Sequence, residues 1–251
     1  PYAHWPSLDA AAQSFGGLVH ANDGLVTPAI ADIFPGTLMA LGVVSAIHSA
    51  KRNNRGQFLD VGMYDAMMAF QKSAVAQYGF TGKPNPAGLQ RAMTLYPFDL
   101  FPTADGRIAI AVGQPRHWDL LCAAMDRADL MNDERSFSNE ARLANVDWVE
   151  EQICAWTQAL TRAEIMAKLD GAIPIGPVQT MADIYADPHV SARGMLETCS
   201  PAGENPDMVL AASPIKFSQT PTTLYQRPPN LGEHNAEVLS EFGIEPPMRK
   251  D

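Results

Sequence analysis

One stretch limits the fold more than any other. From Asp32 to about Lys51 the chain reads as a single helix, with Leu38, Met39, Leu41, Val43, Val44 and Ile47 apolar on more than one face. Gly36, Ala40, Gly42 and Ala46 lie between them and let neighbouring segments approach closely. A helix apolar on several sides has no solvent face, so it is expected to be buried inside a larger body. The continuous apolar run, Leu38 to Ile47, is shorter than the roughly 20 residues of a membrane-spanning helix, so no membrane partner is expected.

Around this helix the order of elements suggests an α/β protein. A short helix is expected over 8–20, broken near Gly16-Gly17, with a turn at Asn22-Asp23-Gly24. After the long helix, Phe58-Leu59-Asp60-Val61 has strand character, and a helix from about Tyr64 to Tyr78 follows. This helix–strand–helix order fits part of a doubly wound large domain over 1–78. Residues 79–92, with Pro84 and Pro86, read as a linker. A smaller α+β domain is expected over 93–195. It starts with strands at 95–101 and 108–112 around Ala104-Asp105-Gly106, an Asp-Gly hairpin signal. Helices over 115–126, 138–158 and 161–169 follow, the last with a capping box of Thr161 and Glu164. The tail, 196–251, has strand-like pieces at 208–210 and 215–217 and a short helix over 233–242, and is expected to return to the large domain.

Charge and reactive side chains narrow the function. The chain of 251 residues carries 28 acidic against 18 basic residues, a formal net charge of -10, which disfavours nucleic acid as a partner. The three cysteines, Cys122, Cys154 and Cys199, are widely spaced and form no CxxC pair, so neither a disulfide framework nor a zinc site is expected. Their pattern suits buried thiols in a reducing cytoplasm. Six histidines lie scattered without ligand spacing, and no metal site is expected. No Gly-x-Ser-x-Gly elbow is present. The first residues, Pro1-Tyr-Ala-His-Trp-Pro, have neither an initiator Met nor a leader's basic and apolar regions, so the sequence reads as starting inside a longer polypeptide.

Asp32 is the first candidate for chemistry. Placed at a helix N-terminus, its carboxylate would accept unpaired backbone N–H groups and face the positive end of the helix dipole. Taken alone, that position describes a plain N-cap; the apolar helix behind it would put the cap in a cleft.

The stretch Ala29-Ile-Ala-Asp-Ile-Phe-Pro-Gly-Thr-Leu-Met-Ala-Leu-Gly, followed by Asn54-Arg-Gly-Gln-Phe-Leu-Asp-Val-Gly-Met-Tyr-Asp-Ala, resembles the central signature of family III CoA-transferases. That group includes formyl-CoA transferase, carnitine CoA-transferase and α-methylacyl-CoA racemase. Further segments resemble the family in the same order. They are Pro6-Ser-Leu-Asp-Ala-Ala-Ala-Gln-Ser-Phe-Gly-Gly, Phe101 to Gly113 with Trp118, Ile173-Pro-Ile-Gly-Pro-Val, and Leu231-Gly-Glu-His with Val238 to Gly243. The resemblance implies a nucleotide-fold large domain, a smaller domain and an interlocked homodimer. It implies transfer of coenzyme A from an acyl-CoA thioester to a carboxylic acid, with the thioester as substrate and no permanently bound cofactor. Asp32 falls at the family's nucleophilic aspartate, which forms covalent aspartyl intermediates. Asp9 falls at an auxiliary acid and is equally consistent with a solvated or capping residue. Met63 falls where the family contacts CoA, although a core role beside Met67 and Met68 suits it as well.

Three departures sharpen the expectation. The racemase branch places a His where this chain has Leu8, and a Glu near Gln114 or Pro115, so two-base proton transfer lacks its second base. Transferase chemistry is therefore favoured over an acyl-CoA racemase or isomerase, with a non-catalytic fragment of the family as the third reading. The glycine-rich loop of the oxalate-using enzymes is missing between Gly88 and Leu95, which argues against oxalate. The family's first strand–helix units, which carry most contacts to the CoA nucleotide, do not occur in the 251 residues.

Overall fold

The computed structural model describes residues 2, 4–88, 94–200, 207–222 and 227–244. The chain divides into two compact units, residues 1–177 and 178–251.

The first unit opens with α1 (Asp9–Phe15) and α2 (Leu18–Asn22), separated by Gly16 and Gly17. Then come α3 (Ile30–Asn53), α4 (Met63–Phe70) and α5 (Lys72–Thr81). Helices α1, α3 and α4 pack on one another around a small core of Ala12, Leu18, Ala31 and Met67. The approach of α1 to α4 is close: a Cβ on Gly16 would stand 2.2 Å from the Cβ of Met67. Only glycine permits that spacing.

A second core lies further along the same unit. Strands β1 (Phe98–Thr103) and β2 (Gly106–Ala111) form an antiparallel hairpin with Thr103 opposite Gly106, where the Asp-Gly signal places it. Helix α6 (Pro115–Ala124), a 3-10 turn at Ala128–Met131, α7 (Asn139–Ala144), α8 (Val146–Thr157) and α9 (Arg162–Leu169) follow. Strand β3 (Ile175–Pro177) then pairs antiparallel with β2. Trp118, Tyr96, Phe101, Leu121, Ile153 and Ile165 are fully buried between the helices and the sheet. The Arg142 guanidinium is buried there too, and donates to the carbonyls of Tyr96 at 2.6 Å and Ser136 at 2.8 Å. Thr161 and Glu164 form the expected capping box at the start of α9.

The second unit holds α10 (Met181–Ala186), α11 (Pro188–Ala192), an antiparallel pair of β4 (Leu196–Cys199) and β5 (Met208–Ala211), and α12 (Asn235–Glu241).

Several sequence expectations need correction. The helix of 64–78 is two helices. The break falls at Gln71, whose φ of -93° and ψ of 26° depart from helical values; its Nε2 donates to the Gly16 carbonyl. The helix of 138–158 likewise breaks at Asn145, whose φ is -125°. Residues 58–61 and 215–217 are not strands, because neither finds a ladder partner among the described residues. The expected linker, 79–92, and the gap before Leu95 fall partly on 89–93, outside the described residues.

The long helix departs most. Only Ala31 and Pro35 of α3 are buried, since α1 and α4 cover one side near its start, and Leu41, Val44 and Ile47 stand exposed. With 24 residues and a mean hydropathy of 1.8 over 18 of them, α3 passes by length and composition alone as a span, a test that the core helix of a larger body passes as well.

Candidate active site at the start of the long helix

Asp9 begins α1, and Gln13 follows it by four residues, on the same helix face. Gln13 is fully buried. Its Nε2 donates to Oδ2 of Asp9 at 2.7 Å and to the Val26 carbonyl at 2.9 Å, while its Oε1 accepts the Val26 N–H at 2.9 Å. The other oxygen of Asp9, Oδ1, accepts the N–H of Ala31 at 2.8 Å. That N–H belongs to the first turn of α3, where a helix leaves its donors unpaired.

This bond changes the role of Asp32. The helix begins at Ile30, with Ala29 as the flanking residue and no cap from its own side chain. Asp32 is therefore the third helical residue and not the cap that the sequence suggests. A carboxylate 22 residues upstream satisfies the donor that a local cap would have taken. The Asp32 side chain is exposed and, among the described residues, has no hydrogen-bond partner. Its negative charge still faces the positive end of α3. Asp9, half-buried, thus lies against the residue that precedes Asp32, and the structure brings these two carboxylates to one helix start.

Met63 opens α4 and is half-buried against the core of Ala12, Ala31 and Met67. It also lines a cleft of about 490 Å³ with Trp5, Phe15, Gly62 and Tyr64. It is thus a core side chain with one edge on a cleft. Leu8 lies immediately before α1 and is 79% exposed. Gln114 flanks the first turn of α6. No cluster of three or more metal-ligating side chains occurs among the described residues.

Gln13 is the residue that sequence reading passed over. Its spacing from Asp9 was visible; its partner Val26, across a loop, was not.

The profile of CoA-transferase family III matches residues 1–235. The chain belongs to that family. This family III chain is 36% identical over 246 residues to the succinyl-CoA:mesaconate CoA-transferase of Haloarcula marismortui, covering 96% of itself and 62% of that protein. It is 32% identical to the succinate–glutarate CoA-transferase of Agrobacterium fabrum, again over 96% of itself and 62% of the relative. Among solved structures, a CAIB/BAIF family protein from Brucella suis superposes with a TM-score of 0.77 at 29% identity, covering 96% of this chain and 64% of that one. The family III chain thus spans a little under two thirds of the length of each of these proteins.

Proposed function

We propose that the protein transfers coenzyme A from an acyl-CoA thioester to a carboxylic acid, with Asp32 as the covalent carrier. The observation that carries this reading is the bond from Ala31 to Asp9. It supplies the cap from elsewhere and leaves an exposed carboxylate at a helix start with no donor engaged among the described residues. A carboxylate without donors retains its nucleophilicity, and attack on a thioester requires a free lone pair.

A carboxylate oxygen of Asp32 attacks the thioester carbonyl; the C–S bond breaks, giving an aspartyl–acyl mixed anhydride and CoA thiolate. The thiolate attacks the aspartyl carbonyl, forming an aspartyl-CoA thioester and releasing the donor acid. The acceptor carboxylate attacks that thioester, freeing the thiolate and forming a second anhydride. Thiolate attack on the acceptor acyl carbon then yields the new acyl-CoA and returns Asp32. One difficult exchange is divided into several easier ones. Asp9 acts as the auxiliary acid beside this centre, and Met63 lies against bound CoA.

The relatives' names include succinyl-CoA, mesaconate, succinate and glutarate. Short dicarboxylic acids are accordingly the proposed substrate class. We also propose the family's working form: a homodimer in the cytoplasm, with 1–78 and the tail 196–251 in a doubly wound large domain and 93–195 as the smaller one. The uncovered apolar residues of α3 support such burial by other polypeptide. Leu8, where a racemase would need its second base, favours transfer over racemisation.

The test is mass spectrometry on the protein as its cell makes it, mixed with acyl-CoAs and free dicarboxylic acids. Exchange should occur, and a quenched digest should carry CoA or acyl mass on the peptide containing Asp32. An Asp32→Asn protein that exchanges CoA near the parent rate would refute the assignment.

A further inference from the structure

Gln13 does more than fill a core, and its role depends on the reading of Asp32 and Asp9 just given. We infer that Gln13 is a positioning residue for CoA transfer, acting through Asp9 to fix the beginning of α3 and hence the carboxylate of Asp32.

The geometry uses every polar atom that can matter. A side-chain amide offers two N–H donors and one carbonyl oxygen. Gln13 directs one donor to Oδ2 of Asp9, the other to the Val26 carbonyl, and its oxygen to the Val26 N–H. Satisfying both main-chain groups of Val26 fixes which end of the amide faces Asp9, so the donor at Asp9 is not interchangeable with the acceptor. Val26 lies in the segment between α2 and α3. Gln13 therefore holds that segment with two bonds, while Asp9 holds the first turn of α3 with a third. Rotation of the Asp9 carboxylate would break either the bond to Gln13 or the bond to Ala31. With both in place its orientation is set.

A buried amide costs free energy unless its bonds are made, so full burial of Gln13 requires this network to stay intact. An apolar residue could be buried at this position without that requirement. What glutamine adds is a fixed Asp9. Displacement of a reacting group by about 1 Å can cost a hundredfold in rate, so a residue that never touches substrate can still govern turnover.

The experiment is a double-mutant cycle on the natural full-length protein, reading kcat, acyl-CoA KM and the fraction of enzyme trapped as Asp32 thioester. Gln13→Met keeps length and removes all three bonds. With Asp9 present it should lower kcat per trappable enzyme by roughly ten- to a hundredfold while leaving acyl-CoA KM within about threefold. In an Asp9→Asn background the asparagine keeps the acceptor for Ala31 but presents a donor to Gln13, so the link is already broken. There Gln13→Met should cost less than about threefold, the coupling being the signature of action through Asp9. Gln13→Glu keeps the acceptor for the Val26 N–H but sets a carboxylate oxygen against Asp9, whereas in the Asp9→Asn background that oxygen gains a donor; its loss should therefore be larger with Asp9 present, a coupling of the same sign, and it serves if the methionine variant does not fold. Equal losses in both backgrounds would overturn the inference, since a purely structural role lowers active protein regardless of Asp9. If the Asp32 adduct still forms in the parent while the cycle is additive, only the inference about Gln13 fails. If Asp32→Asn still exchanges CoA, the reading of Asp32 fails with it.

Discussion

Oδ1 of Asp9 accepts the N–H of Ala31 at 2.8 Å, joining the first helix to the first turn of the third across 22 residues. Two acidic residues thus stand at one helix start with divided duties. Asp9 satisfies the backbone, and Asp32 has no partner among the described residues.

That division predicts opposite rankings for stability and activity. Asp9→Ala should destabilise by about 1–2 kcal/mol, the usual loss for a missing helix cap. Asp32→Asn should cost less than about 1 kcal/mol, the value of a charge facing the helix dipole at an exposed site. Urea denaturation of the two variants measures the order. If Asp32→Asn proved the more destabilising, Asp32 would be bearing the cap after all, and the reason for calling it free would be gone.

The contact of α1 with α4 gives a second prediction. Gly16→Ala places a methyl carbon 2.2 Å from the Cβ of fully buried Met67, and no rotamer of either residue relieves it. The helices must separate, at a cost of about 1–3 kcal/mol. Because alanine retains its Cβ, a Met67→Ala background should not remove most of the penalty. Denaturation midpoints of the single and double variants decide this.

Which features could be read from the sequence follows from the range of the interactions involved. The capping box of Thr161 with Glu164 and the hairpin around Asp105 depend on residues a few positions apart, and both are present as read. Asp32 as a cap was a sound local inference. It failed because the competing acceptor, Asp9, reaches α3 only in the folded chain. The break at Gln71 has no Gly or Pro to announce it, and the Gly16 carbonyl that its amide meets lies 55 residues away. Residues 58–61 have strand composition, but a strand also needs an edge to pair with. The two carboxylates were both nominated by resemblance, whereas Gln13 carried no signal beyond its spacing from Asp9.

Burial makes Cys122 a poor nucleophile. The thiol is fully enclosed, and loss of solvation, followed by the negative charge of Asp119, pushes its pKa up to about 12. At pH 8 the thiolate is therefore scarce as well as inaccessible. Iodoacetamide should leave Cys122 unmodified in the native protein and alkylate it readily in urea, as peptide mapping would show. Rapid native labelling would mean that the second core opens on the timescale of the reaction.

The last prediction concerns acid stability and the pair of Asp133 with Arg135. Arg135 donates Nε and Nη2 to the two Asp133 oxygens at 2.9 and 2.7 Å, and its own N–H to Oδ1 at 2.9 Å. The guanidinium bonds are the larger cause and the backbone bond the next, and together they hold the Asp133 pKa down at about 2, against an ordinary 3.8. Because the folded value is depressed, the native state favours the ionised form. Its contribution is fully present above the unfolded value and is lost as pH falls through about 2. Arg135 stays charged throughout, with its guanidinium 3.6 Å from the ring centroid of Trp148. Asp133→Asn should therefore lower unfolding free energy at pH 6, and the gap to the parent should close between pH 4 and pH 2. Urea denaturation of both proteins across that range measures it. A gap that stayed constant down to pH 2 would show that the bonds matter through geometry alone and not through the charge on Asp133.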